Sequence, residues 1–102
     1  DFEAKAPLIV VPNRLATPSE RGGRCWGAMA QLYSVRSRDS WGIGDTADLK
    51  ELCSTFGELG GDYVLINPLH AAEPVGHMTP SPYLPVTRRF FNPIYIRPED
   101  IR

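Results

Sequence analysis

Features that would announce a membrane, metal or nucleic-acid protein are missing from this sequence. The apolar run "LIVV", Leu8 to Val11, falls far short of the ~20 residues that span a bilayer. The acidic start "DFEAK" lacks the basic region of a signal peptide, so no membrane is expected as partner and the expected location is cytoplasmic. Eleven Lys and Arg against twelve Asp and Glu leave a net charge of -1, which offers no field for nucleic acid or an anionic surface. A neutral polar ligand fits that balance better. Only two cysteines and two histidines occur. Cys25 and Cys53 sit in no metal-ligand spacing, and their core-like flanks predict buried thiols in preference to a disulfide. His70 and His77 are too isolated to build a metal site alone.

What is present is an ordinary apolar content of 42%, arranged in alternating strand and helix patterns. Leu8 to Val11, closed by Pro12, reads as a strand, and "LATPSERGGR" after it reads as a linker. This divides the chain into residues 1–24 and 25–102. The stretch Trp26 to Tyr33 is apolar except for Gln31 and small residues, as in a parallel strand buried on both faces, although periodicity alone leaves a helix open. Next, "TADLKELCSTFGELG" places Ala47, Leu49, Leu52, Cys53, Phe56 and Leu59 on one helical stripe. Asp45 and Asp48 supply a capping box and Gly60-Gly61 a left-handed stop, which predicts a helix over 46–59. "DYVLIN", Asp62 to Asn67, is a second buried strand ended by Pro68. Strand, helix and strand form a βαβ unit with parallel strands and a right-handed crossover. Ile94 to Ile96 reads as a further short strand, and "RPEDIR" as the first turn of another helix.

Two buried parallel strands and one helix leave sheet edges and faces uncovered. The α/β pattern therefore reads as the opening βα units of a larger barrel or open sheet. Ligands in such folds bind where the loops leave the C-terminal ends of the strands, which selects Tyr33–Asp45 and Asn67–Pro93. In the first loop, "GIGD" is a weak phosphate signal. It lacks the full glycine fingerprint and the P-loop lysine, and Asp45 would repel an anion, so Asp45 reads as an N-cap and Trp41 as packing over the helix start or as a ligand wall. The second loop contains "HMTPSPYLPVTRRFFNP", in which four prolines forbid a regular helix. A sugar site needs an aromatic face and hydroxyl or amide partners. Tyr83 between Pro82 and Pro85, with Ser81 beside it, offers that combination or else packs its own loop. His70 either bonds a ligand or caps a strand-end carbonyl. Arg88-Arg89 reads as an ion-pair clamp on a carboxylate elsewhere in the fold. No nucleophile–base or paired-carboxylate constellation is visible in these loops.

The ordered segments "WGAMAQLYSVRSRDSWGIGDTADLKEL", "LGGDYVLINPLHAAEP" and "SPYLPVTRRFFNPIYI" resemble the 4-alpha-glucanotransferases, or amylomaltases, of the alpha-amylase clan. "LIVVPNR" resembles the tail of the N-terminal extension of the longer bacterial members. The resemblance implies a (β/α)8 TIM barrel, incomplete in this chain and preceded by a strand from that extension. It implies transfer of alpha-1,4-glucan segments between maltooligosaccharides with retention, through an aspartate nucleophile, a glutamate acid/base and a further aspartate. Those carboxylates would lie beyond Arg102, with no metal or organic cofactor required. By the same resemblance Tyr83 stacks on the donor sugar, Ser81 lies at its rim, and Asn92 serves loop structure first and substrate second. His70 matches the longer bacterial members. The implied partners are maltooligosaccharides or starch-type glucans and the remainder of the barrel. A noncatalytic carbohydrate-binding or scaffold segment using the same loop is the alternative.

Overall fold

Helix α1, Thr46–Glu58, begins and ends where its side chains and glycines satisfy the free backbone groups. The Asp45 carboxylate accepts hydrogen bonds from the Ala47 and Asp48 amides at 2.8 and 3.1 Å, and Asp48 accepts one from the Asp45 amide at 2.9 Å. This reciprocal capping box satisfies amides that have no partner in the first turn. At the other end, Gly60 takes φ +81°. Its amide donates to Gly57 and that of Gly61 to Phe56, at 2.9 and 2.7 Å, the double closure of a Schellman motif. In the computed structural model, which describes residues 3–101, the helix therefore forms as its sequence predicts.

Strands β1, Gly27–Ala30, and β2, Tyr63–Ile66, pair in parallel, with Gly27 opposite Tyr63 and Ala30 opposite Ile66. Alternation along the strands separates two faces. Ala28, Ala30, Val64 and Ile66 are half-buried, and α1 packs against β2. Met29, Tyr63 and Leu65 are exposed on the opposite face. Gly27 is required by a close approach: a Cβ there would meet the Tyr63 carbonyl and ring. Along α1, Ala47, Leu49, Leu52 and Phe56 are half-buried, but Cys53 and Leu59 remain exposed, because this two-stranded sheet covers a narrower stripe than the sequence presents. Both cysteines are exposed free thiols, contrary to the buried expectation.

Other elements also depart from expectation. Leu8–Val11 forms no strand and lies exposed, since a β-branched run gains nothing from extension without a ladder partner. The apolar run from Trp26 yields only β1 and then a 3-10 turn, Leu32–Ser34. Ile94–Ile96 is not a strand. Asn92 caps a 3-10 turn over Pro93–Tyr95 by accepting from the Ile94 amide at 3.2 Å, and Pro93 suits that first position because it has no N–H to leave unpaired. Pro98–Asp100 is likewise a single 3-10 turn rather than an α-helix start. The long loop is not wholly irregular either. Its ends form an antiparallel ribbon of β3, His70–Ala71, and β4, Thr87–Phe91, extended by hydrogen bonds from the Val86 amide to the Ala71 carbonyl and from the Asn92 amide to the Leu69 carbonyl.

The core is small. Leu32 and Tyr95 are its buried apolar residues, and the buried Asn67 joins them. Asn67 Oδ1 accepts from the Leu32 amide at 2.6 Å, while Nδ2 donates to the Tyr95 hydroxyl at 3.0 Å and to the Pro68 carbonyl at 2.9 Å. Burial raises the Tyr95 phenol above its usual pKa, with the Asn67 bond opposing. The radius of gyration is 18.4 Å, well above the ~13 Å of a compact domain of this length.

Replacing Asn67 with Ala leaves the buried Leu32 amide and the Tyr95 hydroxyl without this partner. Urea denaturation of the full-length protein is expected to show a loss of about 1–3 kcal/mol, and an unchanged midpoint would contradict the role given to Asn67.

Candidate functional site

The Asn67–Pro93 segment leaves the C-terminal end of β2 and returns along β4, so its span is held at both ends by the ribbon and by Asn92. Between them, Tyr83 brings the segment to Gln31 at the end of β1. His70, Ser81 and Asn92 come together on one cavity of about 250 Å3, shared with Tyr33, Met78 and Tyr95. That volume is below the ~300–1,000 Å3 of pockets that enclose a whole drug-sized ligand. The Ser81 hydroxyl accepts from the Tyr83 amide at 3.4 Å, and Asn92 Oδ1 accepts from the Ile94 amide in its cap. Its loop role is thus the one directly expressed in the hydrogen bonding.

Tyr83 does not line that cavity. Tyr83 is 56% exposed, and its hydroxyl meets the side-chain amide of Gln31, just past the end of β1: Gln31 Nε2 donates at 3.2 Å and Gln31 Oε1 lies 3.4 Å away as acceptor. The ring is therefore not packed away inside its own loop. It stands at the C-terminal end of the parallel strands.

A larger open cleft of about 740 Å3 lies between Val35–Asp39 and α1, and contains none of these residues. Arg36, Arg38, Asp39 and Glu51 give it mixed charge, and it has no aromatic face against which a sugar ring can stack. The loop region is the better candidate.

The buried acids have other duties. Asp45 and Asp48 are 4% and 2% exposed. Arg97 donates from Nε to Asp45 at 2.8 Å and from its terminal nitrogen to Asp48 at 3.1 Å, and the Ser37 hydroxyl donates to Asp48 at 2.5 Å. Burial pushes the Asp45 carboxyl up, but the Arg97 bond and the amides of Asp48 and Ala47 more than reverse this and hold it below the ordinary aspartate value. The Asp45 bond raises the Arg97 pKa in return. A carboxylate so engaged is a structural anion, neither a poised general acid nor a phosphate site. Trp41, exposed, donates its indole N–H to Glu99 at 2.9 Å and borders a hollow with Asp45 and Pro98. It therefore lies near the helix start without being buried there, and neither packing nor a ligand wall is singled out.

The expected Arg88-Arg89 clamp is absent from the ion pairs among the described residues, and Arg97 takes that role. Arg88 and Arg89 are exposed on β4. Sequence reasoning also passed over Gln31 and Asn67. The signal for Gln31 was its place as the single polar interruption of an apolar run. For Asn67 it was an amide at the strand end, whereas Arg97 gave no local signal. No group of three or more His, Cys, Asp and Glu residues that could hold a metal occurs among the described residues, and no described helix is long and apolar enough to cross a membrane.

Comparison with known proteins adds an independent line. The family model described as 4-alpha-glucanotransferase matches residues 30–102. A 4-alpha-glucanotransferase of Mycobacterium tuberculosis is 50% identical over 109 residues, covering 99% of this chain and 15% of the relative. One from Haemophilus influenzae is 44% identical over 94 residues, covering 92% of this chain and 13% of the relative. The crystal structure of amylomaltase from Corynebacterium glutamicum superposes with a TM-score of 0.73 at 61% identity, over 76% of this chain and 11% of that one. The chain thus spans about 15% of the length of curated relatives it matches.

The Arg97 pairing predicts a pH signature. Because Asp45 has its pKa lowered by folding, its stabilisation is fully present above the ordinary value of 3.8 and is lost as pH falls through the lower folded value. Arg97→Met in the full-length protein is expected to lower the urea midpoint at neutral pH by leaving buried carboxylates without their cation. The deficit should shrink below pH 3.8, and a pH-independent deficit in urea denaturation would contradict the pairing as its cause.

Proposed function

Because the chain belongs to the 4-alpha-glucanotransferase family, we propose that it works as part of a longer enzyme that transfers alpha-1,4-glucan segments between maltooligosaccharides with retention of configuration. Residues 25–102 form the opening βα units of a (β/α)8 barrel, and residues 1–24 are the tail of an N-terminal extension. The uncovered apolar face with Met29, Tyr63 and Leu65 supports this reading. A parallel sheet is normally covered on both faces, and the lumen of a barrel packed by further strands covers the side opposite the helix. The remainder of the barrel is thus the partner that completes the core, in a cytoplasmic enzyme acting on maltooligosaccharides or starch-type glucans.

The observation that carries the functional reading is Tyr83, an exposed ring held at the C-terminal end of β1 by a proline-bounded loop. Pro82 and Pro85 reduce the conformational freedom lost when the ring is held against a ligand. Tyr83 covers the apolar side of the donor sugar and Ser81 stands at the rim. His70 and Asn92 support the loop behind them and reach substrate only secondarily.

The chemistry needs an aspartate nucleophile that forms a covalent glucosyl intermediate and a glutamate that first protonates the leaving oxygen and then activates the acceptor hydroxyl. The buried carboxylates among the described residues are spent on the helix cap and Arg97. The catalytic carboxylates therefore come from the remainder of the enzyme, and the reaction requires no metal or organic cofactor.

In the full-length enzyme, Tyr83→Ala is expected to lower kcat/KM for maltooligosaccharides roughly 10-fold, the scale of losing ~1.4 kcal/mol of ring contact, with little change in melting temperature. Unchanged kinetics would return Tyr83 to loop packing. The 102 residues alone, incubated with maltotriose, are expected to release no glucose and build no longer glucans. Sustained disproportionation would refute the assignment of the catalytic carboxylates elsewhere.

A further inference from the structure

Gln31 is half-buried immediately after β1, in a stretch where every neighbour from Trp26 to Tyr33 is apolar or small. A polar side chain at the C-terminal end of a parallel strand stands at the functional end of such a sheet. Its amide exchanges hydrogen bonds with the Tyr83 hydroxyl, 3.2 Å from Nε2 and 3.4 Å from Oε1. The two residues are 52 positions apart, so the contact ties the loop to the rigid strand end rather than to itself.

We infer that Gln31 is a positioning residue for Tyr83, setting the ring against the donor sugar through the phenol oxygen. The inference rests on the donor-site reading of Tyr83. With Tyr83 56% exposed, Gln31 is the one side-chain hydrogen-bond partner of its hydroxyl among the described residues. A bond at the ring's tip restricts its swing while leaving the faces open for stacking, which lateral packing would not. Anchoring on the end of a strand also gives a loop residue the positional precision of the scaffold. The primary amide can reverse its donor and acceptor roles towards a phenol, which an apolar or cationic side chain at this position cannot.

The test is a double-mutant cycle in the full-length enzyme with maltotriose as donor and acceptor. Gln31→Leu is expected to lower kcat/KM about 2- to 10-fold, the worth of one neutral hydrogen bond. In a Tyr83→Phe background, which has no phenol to hold, the same substitution should have little further effect. Gln31→Glu, which still accepts from the phenol, should recover most of the loss. A Gln31→Leu penalty that persists undiminished in the Tyr83→Phe background, or a failure of Gln31→Glu to recover activity, overturns the inference. Should Gln31→Leu not fold, Gln31→Asn, one methylene short of the phenol, takes its place with the same expected loss. A damaging Tyr83→Ala with a silent Gln31 substitution overturns only the positioning role, whereas a silent Tyr83→Ala overturns the donor-site reading and this inference with it.

Discussion

The fork of Arg97 on Asp45 and Asp48 is the interaction on which the arrangement depends. Two carboxylates at the start of α1 are almost fully withdrawn from water, an unfavourable arrangement unless a cation and hydrogen-bond donors meet them. The capping amides supply some of those donors. Arg97 supplies the charge, and it comes from the far end of the chain. One arginine therefore fixes the helix start, offsets part of the charge of its two acids and draws the segment around residue 97 back across the βα loop. Asn67 makes the corresponding joint at the strand ends, tying Leu32, Pro68 and Tyr95 together with one amide. Between these joints the loop carrying Tyr83 has both ends held.

That distribution of polar groups explains what this part of the molecule can contribute. Asp45, Asp48 and Asn67 are occupied in holding the backbone, and their bonds leave them unsuited to moving protons on a substrate. Tyr83 and Gln31 meet at their polar tips, leaving the aromatic ring available. Under the proposed function, binding surface and reacting carboxylates fall on different stretches of one enzyme, as suits a barrel where each strand end presents its own loop.

The elements legible in the sequence were those governed by near neighbours. Asp45, Asp48 and the glycine pair at 60–61 act within a few residues of α1, and its limits followed from them closely. The parallel pairing of β1 and β2 followed from two apolar runs separated by a helix, since adjacent parallel strands need such a crossover. Leu8–Val11 misled because β-branched composition describes a residue that suits a sheet, not one that has a sheet to join. Ile94–Ile96 misled similarly, where the Asn92 cap and Pro93 favoured a tight turn over extension. The β3–β4 ribbon was hidden because His70–Ala71 is too short to show alternation.

By itself the sequence determined the α/β class, the helix with its caps, the parallel βαβ unit and the presence of a proline-bounded tyrosine in a long loop, all of which depend on local spacing and backbone chemistry. Only the tertiary structure decided that Arg97 rather than Arg88 or Arg89 meets the acids, that Asn67 joins the small core, that the cysteines are exposed, and that Gln31 holds Tyr83. Each of those outcomes joins residues distant along the chain or depends on which surfaces meet, and separation in sequence contains no measure of that distance.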